Sequence, residues 1–215
     1  MAMIVPTITV DTPDAANAAL TKYAGFTKRI QYDASDGTLA PTRLADFNAL
    51  AVPEGVKLDL HLMSAQPSSH LEAVLALKPH LCIVHAEVSD NVPEIFEKLR
   101  SAGIKTGLAL LKTTYPGKVA PLIEAADHVM IFAGDLGRQG ATIDLMQTEK
   151  VSLIKAIKLE VELGWDGGIN LSNIRALAHA GVDVLNVGSA LAQSEDAAAM
   201  YQSLVVESER KGVLV

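Results

Sequence analysis

An α/β (βα)8 TIM barrel is the fold class this sequence predicts, on three observations. Short apolar runs alternate with longer stretches at helical spacing, most of the runs are continuously apolar, and chemically active side chains gather where the runs end. A strand covered by helices on both faces reads as an unbroken apolar run, so the second observation points to a parallel sheet. The strand runs are residues 4–10, 29–33, 56–62, 81–85, 106–111, 128–132, 160–165 and 182–187.

Helix signals lie between them. Thr12-Pro13-Asp14 orders a cap, a first-turn proline and an early acid. Ser68 and Ser69 open a segment to Lys78 whose apolar face is Leu71, Val74, Leu75 and Leu77. Asp90 precedes Val92, Ile95, Phe96 and Leu99, and Gly103 stops that helix. Ser172 leads Ile174, Leu177 and Ala180, stopped by Gly181. The count is about eight strand–helix pairs, enough to close a barrel, and 215 residues is lean for that fold. A doubly wound open sheet shares the local pattern and is the alternative. No Pro/Ser-rich linker or charge block divides the chain, so residues 1–215 read as one barrel domain.

Composition narrows the function classes. Apolar residues make up 49% and charged residues 20%, enough for a substantial core. A net charge of −7 argues against an electrostatic grip on nucleic acid or an anionic membrane. An anionic ligand must then be held locally, by backbone amides or a few placed cations. The one cysteine, Cys82, lies in Leu81-Cys82-Ile83-Val84; it excludes an intramolecular disulfide and reads as a small buried residue. No apolar run approaches the length of a membrane span. Met1-Ala2-Met3-Ile4 lacks the features of a secretion signal, and a cytoplasmic location is expected. The expected partners are a small-molecule anion, with no nucleic acid and no membrane, and further copies of the chain in a homo-oligomer.

In either architecture chemistry gathers at the carboxyl ends of the strands. Thr7 and Thr9, Asp33, His61, His85, Lys112 and Asp166 all fall there. His70, His80, His128 and His179 fall on helices or strand starts and read as packing or surface residues. Two late turns, Asp166-Gly167-Gly168 and Gly188-Ser189, follow the seventh and eighth strands, the recurring phosphate position of such barrels. Steric need alone also places glycine at such junctions. Asp33 and Asp166 end strands two and seven and so face each other across the mouth. Two opposed carboxylates can remove a proton from one face of a carbon and return one to the other. An enediolate needs an electrophile, and His61 stands where it could ligate a metal ion. Asp36, before Gly37, reads as a turn-capping residue.

Asp33-Ala34-Ser35-Asp36-Gly37, Asp59-Leu60-His61-Leu62-Met63, Val84-His85-Ala86-Glu87, Asp166-Gly167-Gly168-Ile169 and Val187-Gly188-Ser189 together resemble the ribulose-phosphate 3-epimerase family in order and spacing. The resemblance implies a (βα)8 barrel interconverting ribulose 5-phosphate and xylulose 5-phosphate. It implies Asp33 and Asp166 as acid/base catalysts and metal ligands, and His61 as a further ligand to a divalent ion of the Zn, Fe, Mn or Co class. Gly167, Gly168, Gly188, Ser189 and Gly137 would hold phosphate. Thr7, Met63, His85, Met130 and Gln139 would contact substrate.

Four places depart from the family pattern. Gln31 stands where a metal-binding histidine is usual, and a neutral amide is a poorer ligand for zinc-like ions. Ser35 replaces a methionine and should make one pocket wall smaller and more polar. Arg138 replaces a glycine in the loop after strand six, and Leu110-Leu111-Lys112-Thr113-Thr114 lacks an Asn-Pro. Two alternatives therefore stay open: a sugar-phosphate-binding barrel without turnover, and a Schiff-base aldolase using Lys112. Strand alternation also places Arg29 on the face of Gln31 and Asp33, inside the barrel, where Asp59 could neutralise it.

Overall fold

The computed structural model describes residues 1–136, 140 and 142–211. Eight parallel strands close in sequence order, β1 (Met3–Ile8), β2 (Arg29–Ser35), β3 (Lys57–Met63), β4 (Leu81–His85), β5 (Lys105–Leu110), β6 (His128–Phe132), β7 (Glu162–Asp166) and β8 (Val184–Val187). Closure is made by β1 on β8, with Met3 opposite Val184 and Pro6 opposite Val187. The open doubly wound sheet is thereby excluded.

The helices are α1 (Pro13–Ala24), α2 (Leu71–Leu77), α3 (Val92–Ser101), α4 (Ala120–Ala125), α5 (Glu149–Ile157), α6 (Ile174–His179), α7 (Ser189–Ala192) and α8 (Ala197–Glu209). The Thr12 side chain caps α1 as expected. At α3 the cap is Asn91 rather than Asp90, whose carboxylate instead accepts from the Ser68 N–H at 2.7 Å. The expectation of a helix after every strand fails once. Between β2 and β3 the described chain has only the 3-10 turn Phe47–Ala49 and an Asp36–Arg43 bridge. Pro41 and Pro53 lie in that segment, and Gly37 and Gly55 take positive φ, so a continuous helix cannot run through it.

Strand alternation divides the core in two. Ile30, Tyr32, Leu60, Val84, Leu108, Val129, Ile131, Trp165 and Leu185 face outward into the helix layer. Leu81, Ile83, Ala109, Met130 and Phe132 pack together inside the barrel. Trp165 and Cys82 belong to the outer layer, and burial pushes the Cys82 thiol up to about 12, which keeps it protonated. The interior is polar towards each end. Near the strand starts Arg29 donates to Asp59 at 2.6 Å and, through two nitrogens, to Glu162 at 2.8 Å each. His128 adds a contact to Glu162 at 2.8 Å. Arg29 is thus inside and paired, with Glu162 as a second partner beyond the expected Asp59.

Candidate active site at the carboxyl end of the barrel

Register brings the strand-end residues together. Gln31 and Asp33 share one face of β2; Thr7 of β1 lies opposite Gln31, and His61 of β3 lies opposite Asp33. On the far side Asp166 of β7 lies between Phe132 of β6 and Asn186 of β8. Thr7, Gln31, Asp33, His61, Asp166 and Asn186 are all buried.

Gln31 is the hub of the cluster. Its Nε2 donates to Asp33 Oδ1 at 3.0 Å and to Asp166 Oδ2 at 2.5 Å, so one amide bridges the two acids. Thr9 donates to the other Asp33 oxygen at 2.7 Å, and His61 Nδ1 lies 3.1 Å from Asp33 Oδ1. Burial, then the neighbouring charge of Asp33, raises the Asp166 carboxyl well above the usual carboxylate range; His61 and Gln31 oppose this. Behind His61, the Nε2 atoms of His61 and His85 meet at 2.8 Å, and both rings pack against Phe132. Burial holds the His85 imidazole down at about 4, so it is neutral at physiological pH.

The donor set fits a divalent cation. Asp33, His61 and Asp166 each offer a ligand atom, and these atoms lie within 4.8 Å of one another. Two carboxylates and an imidazole suit transition-metal ions. Gln31 Oε1 is buried with no partner among the described residues, so an amide flip would turn a neutral oxygen towards the same cluster.

A cleft above the acids is lined by Thr7, Met63, Phe132, Gly167, Gly188 and Ser189 among others. Gly167 has φ +114°, and a Cβ there would lie 2.2 Å from the Gly134 nitrogen, so only glycine fits. The carbonyls of this turn are tied back: Trp165 Nε1 donates to Gly167 O at 3.1 Å, and Asn173 Nδ2 to Gly168 O at 2.8 Å. Gly188 precedes α7, the short helix that follows β8.

Other anticipated residues lie elsewhere. Met130 is buried in the barrel interior, where Asn186 Nδ2 approaches its sulfur at 3.5 Å, and His85 touches His61 from behind. Ser35, expected in the pocket wall, lines a neighbouring cavity with Asp36, Arg43 and His70. Its register partner on β3, Met63, does line the cleft, so the wall expected at Ser35 is supplied one strand over. Lys112 pairs with Asp135 at 3.0 Å at the surface. Gly137, Arg138 and Gln139 lie outside the described residues. Sequence reasoning gave no role to Asn186, whose Oδ1 is buried without a partner among the described residues, or to Phe132. Asn186 was open to discovery as a polar residue inside the apolar run of β8; Phe132 carried no signal.

The chain matches the Ribulose-phosphate 3 epimerase family over residues 28–192. It is 30% identical over 163 residues to a ribulose-phosphate 3-epimerase of Helicobacter pylori (strain J99), covering 74% of each chain. It is 23% identical over 182 residues to that of Aquifex aeolicus, covering 81% of this chain and 82% of the other. Among solved structures, 3-hexulose-6-phosphate synthase from Salmonella typhimurium superposes with TM-score 0.68 at 15% identity, over 95% of this chain and 97% of that one. KGPDC from Streptococcus mutans gives TM-score 0.69 at 8% identity, over 97% of this chain and 98% of that one. These two structures share the barrel; the sequence match goes further, and the chain belongs to the ribulose-phosphate 3-epimerase family.

Proposed function

We propose that this chain interconverts ribulose 5-phosphate and xylulose 5-phosphate, or a close ketose phosphate, by proton transfer at carbon 3. The observation that carries the reading is the pair Asp33 and Asp166, brought from opposite sides of the barrel and bridged by one Gln31 amide. One acid removes the proton from one face of the carbon and the other returns a proton to the opposite face, their roles exchanging with reaction direction. A divalent cation on Asp33, His61 and Asp166 would supply positive charge opposite the enediolate oxygens. Thr9 fixes the rotamer of Asp33 through its 2.7 Å hydrogen bond. Thr7 Oγ1 and Asn186 Oδ1, both buried and without partners among the described residues, are the groups offered to substrate hydroxyls. The turns at Gly167-Gly168 and Gly188-Ser189 hold the phosphate, a reading supported by their position after β7 and β8 and by the obligatory glycine at 167.

The test is turnover of ribulose 5-phosphate by the purified protein and by Asp33→Asn and Asp166→Asn, with bound metal measured on each sample. Each variant should lose turnover by about 10^3-fold, within the usual range for general acid–base groups. Normal turnover in both would refute the two-acid scheme. Tight sugar-phosphate binding without turnover in the unaltered protein would make it a binding barrel instead. A substrate adduct trapped on Lys112 by borohydride would place it with the aldolases.

A further inference from the structure

We propose that the amino end of the barrel carries a second anion site, on the face opposite the two acids, that takes a chain of linked phosphates. The cavity there shares no lining residue with the cleft above Asp33 and Asp166.

The starts of β2 to β5 form one continuous rim. The Lys57 N–H donates to Lys28 O at 2.8 Å, the His80 N–H to Leu58 O at 2.8 Å, and the Lys105 N–H to His80 O at 3.2 Å. The sheet thereby sets Lys28, Lys57, His80 and Lys105 side by side, one per strand, about 4.8 Å from one strand to the next. All four line a cavity of about 610 Å³, together with Arg29. Phe26 and Tyr201, with ring centroids 5.1 Å apart, give the same cavity an apolar side.

The lysine charges are uncompensated. The side chains of Lys28, Lys57 and Lys105 make no hydrogen bond or ion pair among the described residues. Acids at the other strand starts are engaged elsewhere. Glu162, the acid that lines the cavity, is held by Arg29 and His128. Asp127 Oδ2 accepts from the N–H and the hydroxyl of Thr106, both at 2.9 Å. Asp183 Oδ2 accepts from the Leu163 N–H at 2.8 Å and from Lys155 at 3.1 Å.

His80 registers the resulting field. Burial, then the charges of Lys105, Arg29 and Lys57, hold its imidazole down at about 4, with Glu162 opposing. Like charges on neighbouring strands repel, so this crescent costs stability while it stands empty. A chain with 25 acidic and 18 basic residues has no general excess of lysine to account for it. Lys28 and Lys105 start three strand spacings apart, about 14 Å along the rim. One phosphate group cannot meet all three ammonium groups from there, whereas linked phosphates can, each forming a charge-assisted hydrogen bond.

Calorimetric titration of the purified protein with inorganic triphosphate tests the site. The unaltered protein should bind with a Kd no weaker than about 0.1 mM at low ionic strength, and about 0.5 M NaCl should remove the heat. Lys57→Gln/Lys105→Gln should bind at least about tenfold more weakly. Its melting temperature without triphosphate should be no lower than that of the unaltered protein, because a repulsion has been relieved. Lys28→Gln, which alters no strand residue, should weaken binding about threefold on its own. The His80 ring protons, assigned with His80→Gln, should titrate at least about one unit higher with triphosphate bound. ATP in the same titration separates two sources of the shared chemistry. Tighter binding than triphosphate would uphold a nucleotide seated against Phe26 and Tyr201, and equal binding would uphold the phosphate chain alone. No heat at millimolar triphosphate, or an affinity unchanged in both lysine variants, would overturn the proposal.

Discussion

The two polar ends of the barrel are built from the same strands and solve opposite problems. At the strand starts, Arg29 meets Asp59 and Glu162 and His128 closes the group, so each charge has a partner of opposite sign or a ring N–H. Even so, burial pushes Asp59 up to about 6 against the pull of Arg29. At the strand ends, two carboxylates lie within one cluster and the group joining them is a neutral amide. The first arrangement sets both carboxylates against Arg29 and leaves only Asp59 Oδ1 and His128 Nε2 in that group without hydrogen-bond partners among the described residues. The second leaves negative charge uncompensated, along with unpartnered atoms on Thr7, Gln31 and Asn186. Arg29 and Asp33 stand at opposite ends of one strand, and charge balance, not fold, distinguishes structural from chemical use of the interior.

Breaking the balanced end should have the largest effect on stability. Arg29→Met strands Asp59, 1% exposed, removes two of the contacts to Glu162, and should cost about 3 kcal/mol in urea denaturation at pH 8. The loss should shrink at pH 5, where a proton neutralises Asp59. Turnover per folded molecule should be retained.

Relieving the unbalanced end should do the reverse. The folded-state pKa of Asp166 is raised, so folding favours its protonated form and stability falls as pH rises from the ordinary carboxylate range through the raised value. Metal-free Asp166→Asn should therefore be more stable than the unaltered protein at pH 8, by about 1–2 kcal/mol, and should converge with it near pH 4. A thermal melt series across pH 4–8 reads this, and equal curves would show that the two acids do not repel. Smallest is Thr9→Val, which deletes one hydrogen bond to Asp33 and should lower kcat by about fivefold, about 1 kcal/mol, with little change in KM.

Much of this contrast was legible in the chain. Continuous apolar runs gave the strands, and period-two alternation placed Arg29, Gln31 and Asp33 on one face because the pleat leaves no other choice. The missing helix after β2 was less visible, since a strand–helix count does not weigh Pro41, Pro53 and two positive-φ glycines in one segment. Partners distant in sequence were out of reach. Nothing near residue 31 announces Asp166, 135 positions away, and nothing near Arg29 announces Glu162, 133 positions away. Those pairings are set by which strands face each other across the closed barrel. Gln31 was therefore readable as a lost ligand, whereas its positive role as a bridge appears only once both acids stand beside it.

The tie between Trp165 and Gly167 also gives the molecule an optical handle. Trp165 is the one tryptophan in the chain, is fully buried, and its indole N–H is bonded to the carbonyl of the turn that follows Asp166. Its emission thus arises from a single buried environment, one residue from an acid and one bond from the turn. Fluorescence needs no label here to follow events at that corner of the cleft, and the colour of the protein in ultraviolet light becomes a local measurement.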